Sequence, residues 1–383
     1  MSKINAEIVA DSVNVQGDRL TSVLVTMPRI ILSEMNTHRM LSKNTSSSRA
    51  TPFNKMVESV KNDPFIPIAW QKEHKGMQGS EYFTDEDTIG TLENQWLRAR
   101  DYAVEQAKVL NRSINYPVRE GVTKQLCNRL LEPFMWTTML ITGPKSGWDN
   151  FFHLRNPDYQ IIITKPEEFL DKKVSFKSKK DFIKFGNNEE ITKDWTELDW
   201  LKLNKGQAEI HMMALAECIW DAYNESTPKV LKSGEWHIPF EKAIVNSNNW
   251  IDFCEKVRPE KEFGDDWENV QDLAIKSSVA MAARTSYTVV GEDKGLDYEA
   301  LIGLHDRLIA QDPPHSSPLE HCARAMNPLE HETYIKGVIE LIDLAEPEYT
   351  GGIYEPKFSE KGWCNNFKGF IPYRYLVDNK VSI

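Results

Sequence analysis

The sequence predicts an α+β protein, and three observations lead there. Several long segments carry helical periodicity and only a few runs look like strands. No alternating strand–helix–strand series is present, which argues against a parallel doubly wound sheet. The phosphate-binding patterns G-x-G-x-x-G and G-x-x-x-x-G-K-[ST] are both missing from the 383 residues, so neither a Rossmann nor a P-loop site has support.

Taken in order, RLTSVLVTMPRIIL (19–32) predicts a strand that meets Pro28 and turns into a short helix or turn. THRMLSKNTSSSRA (37–50) reads as a polar loop. Residues 88–113 predict a helix with Leu92, Trp96, Ala99, Tyr102, Ala103, Ala107 and Leu110 on one face. Residues 119–142 predict a second, more buried helix that Pro133 kinks or ends, followed by a strand-like run. In 163–204 lysines, acids and aromatics alternate without a long apolar face, the pattern of an insertion or lid. Helices return over 206–226, 267–287 and 297–311, and the aromatic stretch 361–378 is expected to be extended. No internal repeat is present.

The net charge of -11 argues against a nonspecific nucleic-acid coat, including one built on the lysine-rich stretch 172–184. A local basic cleft for a small anion remains compatible with it. No run of about 18 apolar residues exists, so no membrane span is expected. The start, MSKINAEIVADSV, lacks an apolar signal core, and a cytoplasmic protein is expected. The five cysteines, Cys127, Cys218, Cys254, Cys322 and Cys364, form no C-x-x-C pair, which fits reduced thiols better than a disulfide framework or zinc site.

Chemistry concentrates in a few places. Ser46, Ser47, Ser48 and Arg49 offer hydroxyls, backbone N–H groups and a guanidinium within four residues, the donor set a phosphate takes, with His38 and Arg39 just before them. By itself the stretch reads first as a solvated polar loop, with the phosphate cradle as the lesser reading. AARTSY (282–287) and PPHSSPLEH (313–321) form a second block, in which Ser317 and Glu320 make a capping-box pattern. His315 and His321 lack a third ligand at metal spacing, so no metal is expected. Arg129 in NRLLEP and Arg155 at the end of WDNFFHLR sit on apolar runs, where an arginine either snorkels or meets an anion.

Together these pieces resemble the flavin-dependent thymidylate synthases (the ThyX family). The pattern R-H-R-x-x-S-x-N-x-x-S-x-R-Y is matched by His38, Arg39, Ser42, Asn44, Ser47 and Arg49, with Thr37 and Ala50 in place of its first Arg and last Tyr. AAR-x-S and H-x-[ST]-P-[FL]-E-H precede that signature in the family and follow it here, as a circular permutation would produce. The resemblance covers roughly two-thirds of the chain. It implies a single ThyX-like catalytic domain over 1–383, a small antiparallel sheet packed with several helices, in permuted order and with an insertion at 156–204. It further implies that Ser47, Ser48 and Arg49 hold the phosphate of dUMP, that Arg129 faces the same phosphate, and that Arg155 faces the uracil ring and favours its enolate-like form. His38, Arg39, Ser42, Asn44, Ser286, Ser317 and Glu320 would contact FAD, with Asn150 a further contact one register position away. NADPH and methylenetetrahydrofolate would be co-substrates in reductive methylation of dUMP to dTMP, within a homotetramer. No cysteine nucleophile is required, and none of the five has Pro-Cys-His surroundings. Glu34 stands where the family usually has Gln, and Arg374 is a candidate to replace the cation missing at Thr37. Hydroxymethylation of dUMP or dCMP on the same scaffold, or nucleotide binding without catalysis, are the rival expectations.

Overall fold

The computed structural model describes residues 2–76, 79–112, 121–165, 170–185, 188–257, 266–292, 295–312, 314, 316–333 and 366–378. It opens with a hairpin of β1 (Asn5–Asn14) and β2 (Arg19–Pro28). Asn14 Oδ1 closes the turn by accepting the N–H groups of Gln16 at 3.0 Å and Asp18 at 2.9 Å. Gly17 takes φ 88° there, a conformation open to glycine. A 3-10 turn (Arg29–Ile31) leads to α1 (Leu32–Asn36), β3 (Ser42–Thr45), α2 (Phe53–Asn62) and α3 (Glu86–Asn111). α4 (Lys124–Cys127) and a 3-10 stretch (Asn128–Phe134) lead to β4 (Trp136–Pro144) and α5 (Lys145–Arg155). Next come β5 (Tyr159–Lys165), β6 (Leu170–Phe176), α6 (Lys179–Lys184), α7 (Glu189–Thr192), α8 (Glu197–Leu203) and α9 (Ile210–Glu225). β7 (Lys229–Leu231), β8 (Trp236–His237), α10 (Glu241–Val245) and α11 (Trp250–Val257) follow. The chain continues through α12 (Asp266–Arg284), α13 (Tyr298–Ile309), α14 (Ser316–Leu319), β9 (Ala323–Ala325), β10 (Phe370–Pro372) and α15 (Tyr373–Asp378).

The fold is α+β. The main sheet runs β3-β4-β2-β1-β7, antiparallel except for the β1–β7 pair. Alternation along the strands divides its two faces by chemistry. Val23, Val25 and Met27 of β2, with Met139 and Ile141 of β4, pack on Trp148, Phe151 and Phe152 of α5 and Met212, Leu215 and Ile219 of α9. The opposite face presents Ser22, Leu24 and Thr26, paired with Thr142, Leu140 and Thr138. The C-terminal elements lie over that more polar face, around their own core of Ile275, Val279, Leu301, Leu319 and Met326.

Several expectations are met. The β2 strand ends at Pro28, and helices occupy 86–111, 210–225, 266–284 and 298–309. Others are corrected. The helix expected over 119–142 is a single α turn and a 3-10 stretch carrying Pro133; residues 119–120 lie outside the described residues. The loop at 37–50 contains β3, whose pairing with β4 no periodicity could reveal in so short a strand. On α3 the buried stripe is centred on Val104 and Ala107, leaving Tyr102 68% exposed. The stretch expected to be extended at 361–378 is helical over Tyr373–Asp378, and its first residues, 361–365, lie outside the described residues. Within 156–204, β5, β6 and α6 to α8 build a separate small core from Tyr159, Phe176, Phe182 and Trp200. Among the described residues, no helix is long and apolar enough to cross a membrane, and no cluster of His, Cys, Asp or Glu could hold a metal ion. His315 and Cys364 lie outside the described residues.

Candidate functional site

β3 pairs with β4 as Ser42↔Thr142 and Asn44↔Leu140, which turns Asn44 toward the polar face of the sheet. Leu41, just before the strand, packs over Gly143; a Cβ there would lie 2.2 Å from Leu41 Cδ2 and make that side chain shift. Asn44 is 6% exposed and all of its amide is engaged. Its Nδ2 donates to the carbonyl of Ala282 and, at 3.0 Å, to Thr285 Oγ1. Its Oδ1 accepts from Ser286 Oγ at 3.3 Å and Ser317 Oγ at 3.0 Å. Ser47 N–H adds a bond to Ser286 O at 2.7 Å. One side chain therefore ties β3 to residues 282–286 and to Ser317, each more than two hundred positions away from it. The small Ala282, 1% exposed, lets α12 end this close to β3.

Beyond Asn44 the loop is held from beneath. Ser46 N–H bonds Thr138 O at 2.9 Å and Ser46 Oγ meets Thr137 Oγ1 at 2.6 Å. Arg29 donates to Ser46 O at 2.7 Å and contacts Glu132 at 3.4 Å. Ser48 Oγ donates to Glu132 Oε1 at 2.6 Å, and Asn128 Nδ2 holds Ser48 O and Thr51 O at 2.6 and 3.0 Å. Burial pulls the Arg29 guanidinium below its usual range, Glu132 acts against that, and the charge of Arg129 adds to it. Arg129 directly follows Asn128, which bonds this loop. Arg49 and Arg129 are exposed, and their guanidinium groups carry no partner among the described residues. Arg29, Asn128 and Glu132 were not singled out from sequence. Glu132 sits inside the quoted NRLLEP, and a lone carboxylate on an apolar run was the available signal.

On the other side of β3, Arg155 donates from Nε to His38 Nε2 at 2.9 Å and from NH2 to Thr37 Oγ1 at 3.2 Å. A guanidinium can only donate, so His38 Nε2 accepts and the neutral ring carries its proton on Nδ1. Burial, the Arg155 charge and the Lys43 charge push His38 down to about 4. Phe151 meets the ring edge-on at 5.0 Å. Thr37, where the signature has Arg, thus receives a guanidinium from Arg155; an arginine at that position would set two such cations against each other. A 190 Å³ pocket here is lined by Thr37, His38, Arg39, Gly147 and Asn150 among others. Arg39 and Asn150 are exposed, and Arg39 has no side-chain partner among the described residues.

Lys43 Nζ donates to the His38 carbonyl, and burial lowers it to about 8 despite the nearby Glu320 charge. Glu320 pairs with Arg374, which also reaches Asp378 at 3.3 Å, so Arg374 serves Glu320 and does not stand at Thr37. The expected capping box is not formed: Ser317 lies within α14 and its hydroxyl goes to Asn44. Glu34 accepts from Ser33 Oγ at 2.9 Å. The structure brings Ser42, Asn44, Ser47, Ser286 and Ser317 together. His38, Arg39, Asn150 and Arg155 form a neighbouring group.

No protein-family model matches the sequence, and no curated protein matches it. Among solved structures, a UMP/dUMP methylase, PolB from Streptomyces cacaoi bound with 5-Br dUMP, is similar over 58% of this chain and 91% of PolB, at 13% identity and a TM-score of 0.37. Thymidylate Synthase X (ThyX) from Helicobacter pylori with FAD and dUMP is similar over 53% of this chain and 67% of that protein, at 14% identity and a TM-score of 0.27.

Proposed function

We propose that the chain is a flavin-dependent enzyme acting on a pyrimidine deoxynucleotide, reductively methylating dUMP with methylenetetrahydrofolate and NADPH. The observation that carries this reading is the junction at Asn44. Three stretches that separately resemble motifs of one enzyme family meet on a single buried amide, although the chain presents them in permuted order.

The donor set around this junction fits FAD and a nucleotide phosphate. The guanidinium groups of Arg39, Arg49 and Arg129, without partners among the described residues, on a protein of net charge -11, are suited to phosphates. Arg39, the neutral His38 and Asn150 share one pocket and would hold part of FAD. Bound FAD would supply the hydride. Arg49 and Arg129, with the Ser47 hydroxyl and the Ser48 backbone, would grip the dUMP phosphate; the Ser48 hydroxyl is engaged by Glu132. Arg155 uses one N–H on His38 and one on Thr37, leaving further N–H groups for a uracil carbonyl whose negative charge grows during reaction. Asn44 would act on the cofactor site by holding Ser286 and Ser317 in place.

Purified protein supplied with FAD, dUMP, methylenetetrahydrofolate and NADPH should yield a nucleotide with the mass of dTMP. A hydroxymethyl mass would replace the methylation reading with hydroxymethylation, and turnover of dCMP alone would replace the substrate. Binding of dUMP without any product would leave a non-catalytic nucleotide binder.

A further inference from the structure

Five buried side chains on the polar face of the sheet form one unbroken hydrogen-bonded chain. Ser12 Oγ meets His237 Nδ1 at 2.9 Å, and His237 Nε2 meets Ser22 Oγ at 2.8 Å. Ser22 Oγ meets Thr142 Oγ1 at 2.5 Å, and Thr142 Oγ1 meets His321 Nδ1 at 2.8 Å. His237, Ser22, Thr142 and His321 are fully buried and Ser12 is 4% exposed. The far end, His321 Nε2, is buried without a partner among the described residues. An orphaned buried nitrogen in an otherwise satisfied network calls for an account.

Each hydroxyl has one proton to give and each neutral imidazole has one N–H. The four hydrogen bonds then bar one pairing of tautomers. With His237 protonated on Nδ1 and His321 on Nε2, Ser22 and Thr142 would both give their protons to the rings, and the Ser22–Thr142 bond would be lost. The other three pairings keep every bond, because each hydroxyl oxygen can accept twice. Burial pushes both rings down to about 3, so both are neutral at ordinary pH.

His321 ends the segment that begins with Ser317, whose hydroxyl rests on Asn44, and it directly follows Glu320. We propose that Ser12, His237, Ser22, Thr142 and His321 form a tautomer-coupled relay that makes Thr142 and His321 positioning residues for the 317–320 part of the cofactor site. A proton on His237 Nδ1 forces His321 to carry its own on Nδ1 and leave a lone pair at Nε2, and the chain anchors Ser317 and Glu320 to the middle of the sheet. The coupling stands on geometry alone, whereas its effect on cofactor binding rests on the flavin reading.

Two measurements separate those parts. Nitrogen-15 NMR of histidine side chains should show both rings neutral to below pH 5 and never His237 protonated on Nδ1 beside His321 protonated on Nε2, with Thr142→Val changing the signals of both rings. That barred pairing, or a His237 signal indifferent to Thr142→Val, would overturn the relay whether or not flavin binds. Separately, Thr142→Val should weaken FAD binding roughly tenfold and alter the bound-flavin spectrum, while Thr142→Ser restores both. Ile141→Val, on the apolar face of the same strand, supplies a variant of lowered stability with unchanged flavin affinity. Equal losses in Thr142→Val and Ile141→Val would overturn the positioning role. Failure of the wild-type protein to take up FAD would remove that role together with the flavin reading and leave the tautomer result standing.

Discussion

Asn44 and Arg49 belong to one short segment, yet the fold treats them in opposite ways. Asn44 is buried and every polar atom of its amide meets protein. Arg49 is exposed, and its guanidinium meets nothing among the described residues. A motif match alone does not distinguish a residue that builds a site from one that meets the ligand. Partner accounting does: groups already satisfied by protein shape the site, and unsatisfied cations at its rim are the ones left for an anion.

The comparison breaks most sharply at Asn44. Asn44→Ala should cost about 2 kcal/mol of folding stability, because it removes four hydrogen bonds at one buried point, although Ala282 O, Thr285 Oγ1 and Ser317 Oγ keep second partners. Denaturant unfolding measures it, and a loss below about 1 kcal/mol would mean the junction is not structural. Arg49→Ala should show the reverse pattern. Its stability should stay within about 0.5 kcal/mol of the parent, while the dUMP dissociation constant rises roughly tenfold or more, the loss of a charge-assisted contact worth about 1.5–3 kcal/mol. Calorimetric titration with dUMP reads it, and unchanged affinity removes Arg49 from the phosphate site.

The arginine–histidine corner gives a smaller, pH-dependent effect. His38 is pushed down from 6.5 to about 4, so its stabilising neutral form is fully present above pH 6.5 and its contribution is lost as pH falls toward 4. The slope of unfolding free energy against pH over that window should flatten in His38→Asn; an unchanged slope would show that other groups set it. The smallest effect concerns the 156–204 region, where Glu217 on α9 accepts from Tyr159 Oη at 3.1 Å and from Lys179 N–H at 2.5 Å. Burial raises Glu217 to about 7, against the opposing charge of Lys179. A carboxyl raised in the fold contributes most below its ordinary value of 4.5, and that contribution is lost as pH climbs through 7. Amides of β5, β6 and α6 should therefore exchange more slowly at pH 5 than at pH 8 after correction for intrinsic rates, and Glu217→Gln should remove the difference.

What the sequence disclosed follows from how local its signals are. α9 and α12 are long and carry their periodicity internally, and β2 ends where Pro28 requires. β3 exists only through its pairing with β4, and Pro133 converts an apolar, helix-like run into a 3-10 stretch. At the candidate site, Asn44, Ser286 and Ser317 each lie in a stretch whose motif spacing is local, and the structure brings them into contact. The roles of Arg29, Glu132 and Lys43 depend on partners distant in sequence and emerge only when those partners are packed together. Thr37 was noticed as a missing cation, but its use as an acceptor for Arg155 required the structure.

The flavin reading and the division between Asn44 and Arg49 meet in one experiment, a visible-absorption titration of the purified protein with FAD followed by dUMP. The flavin bands should shift as FAD is taken up and shift again when dUMP binds beside it. Arg49→Ala should keep the first change and lose the second at the same dUMP concentration. A spectrum that remains that of free flavin throughout the titration would contradict the account at its centre.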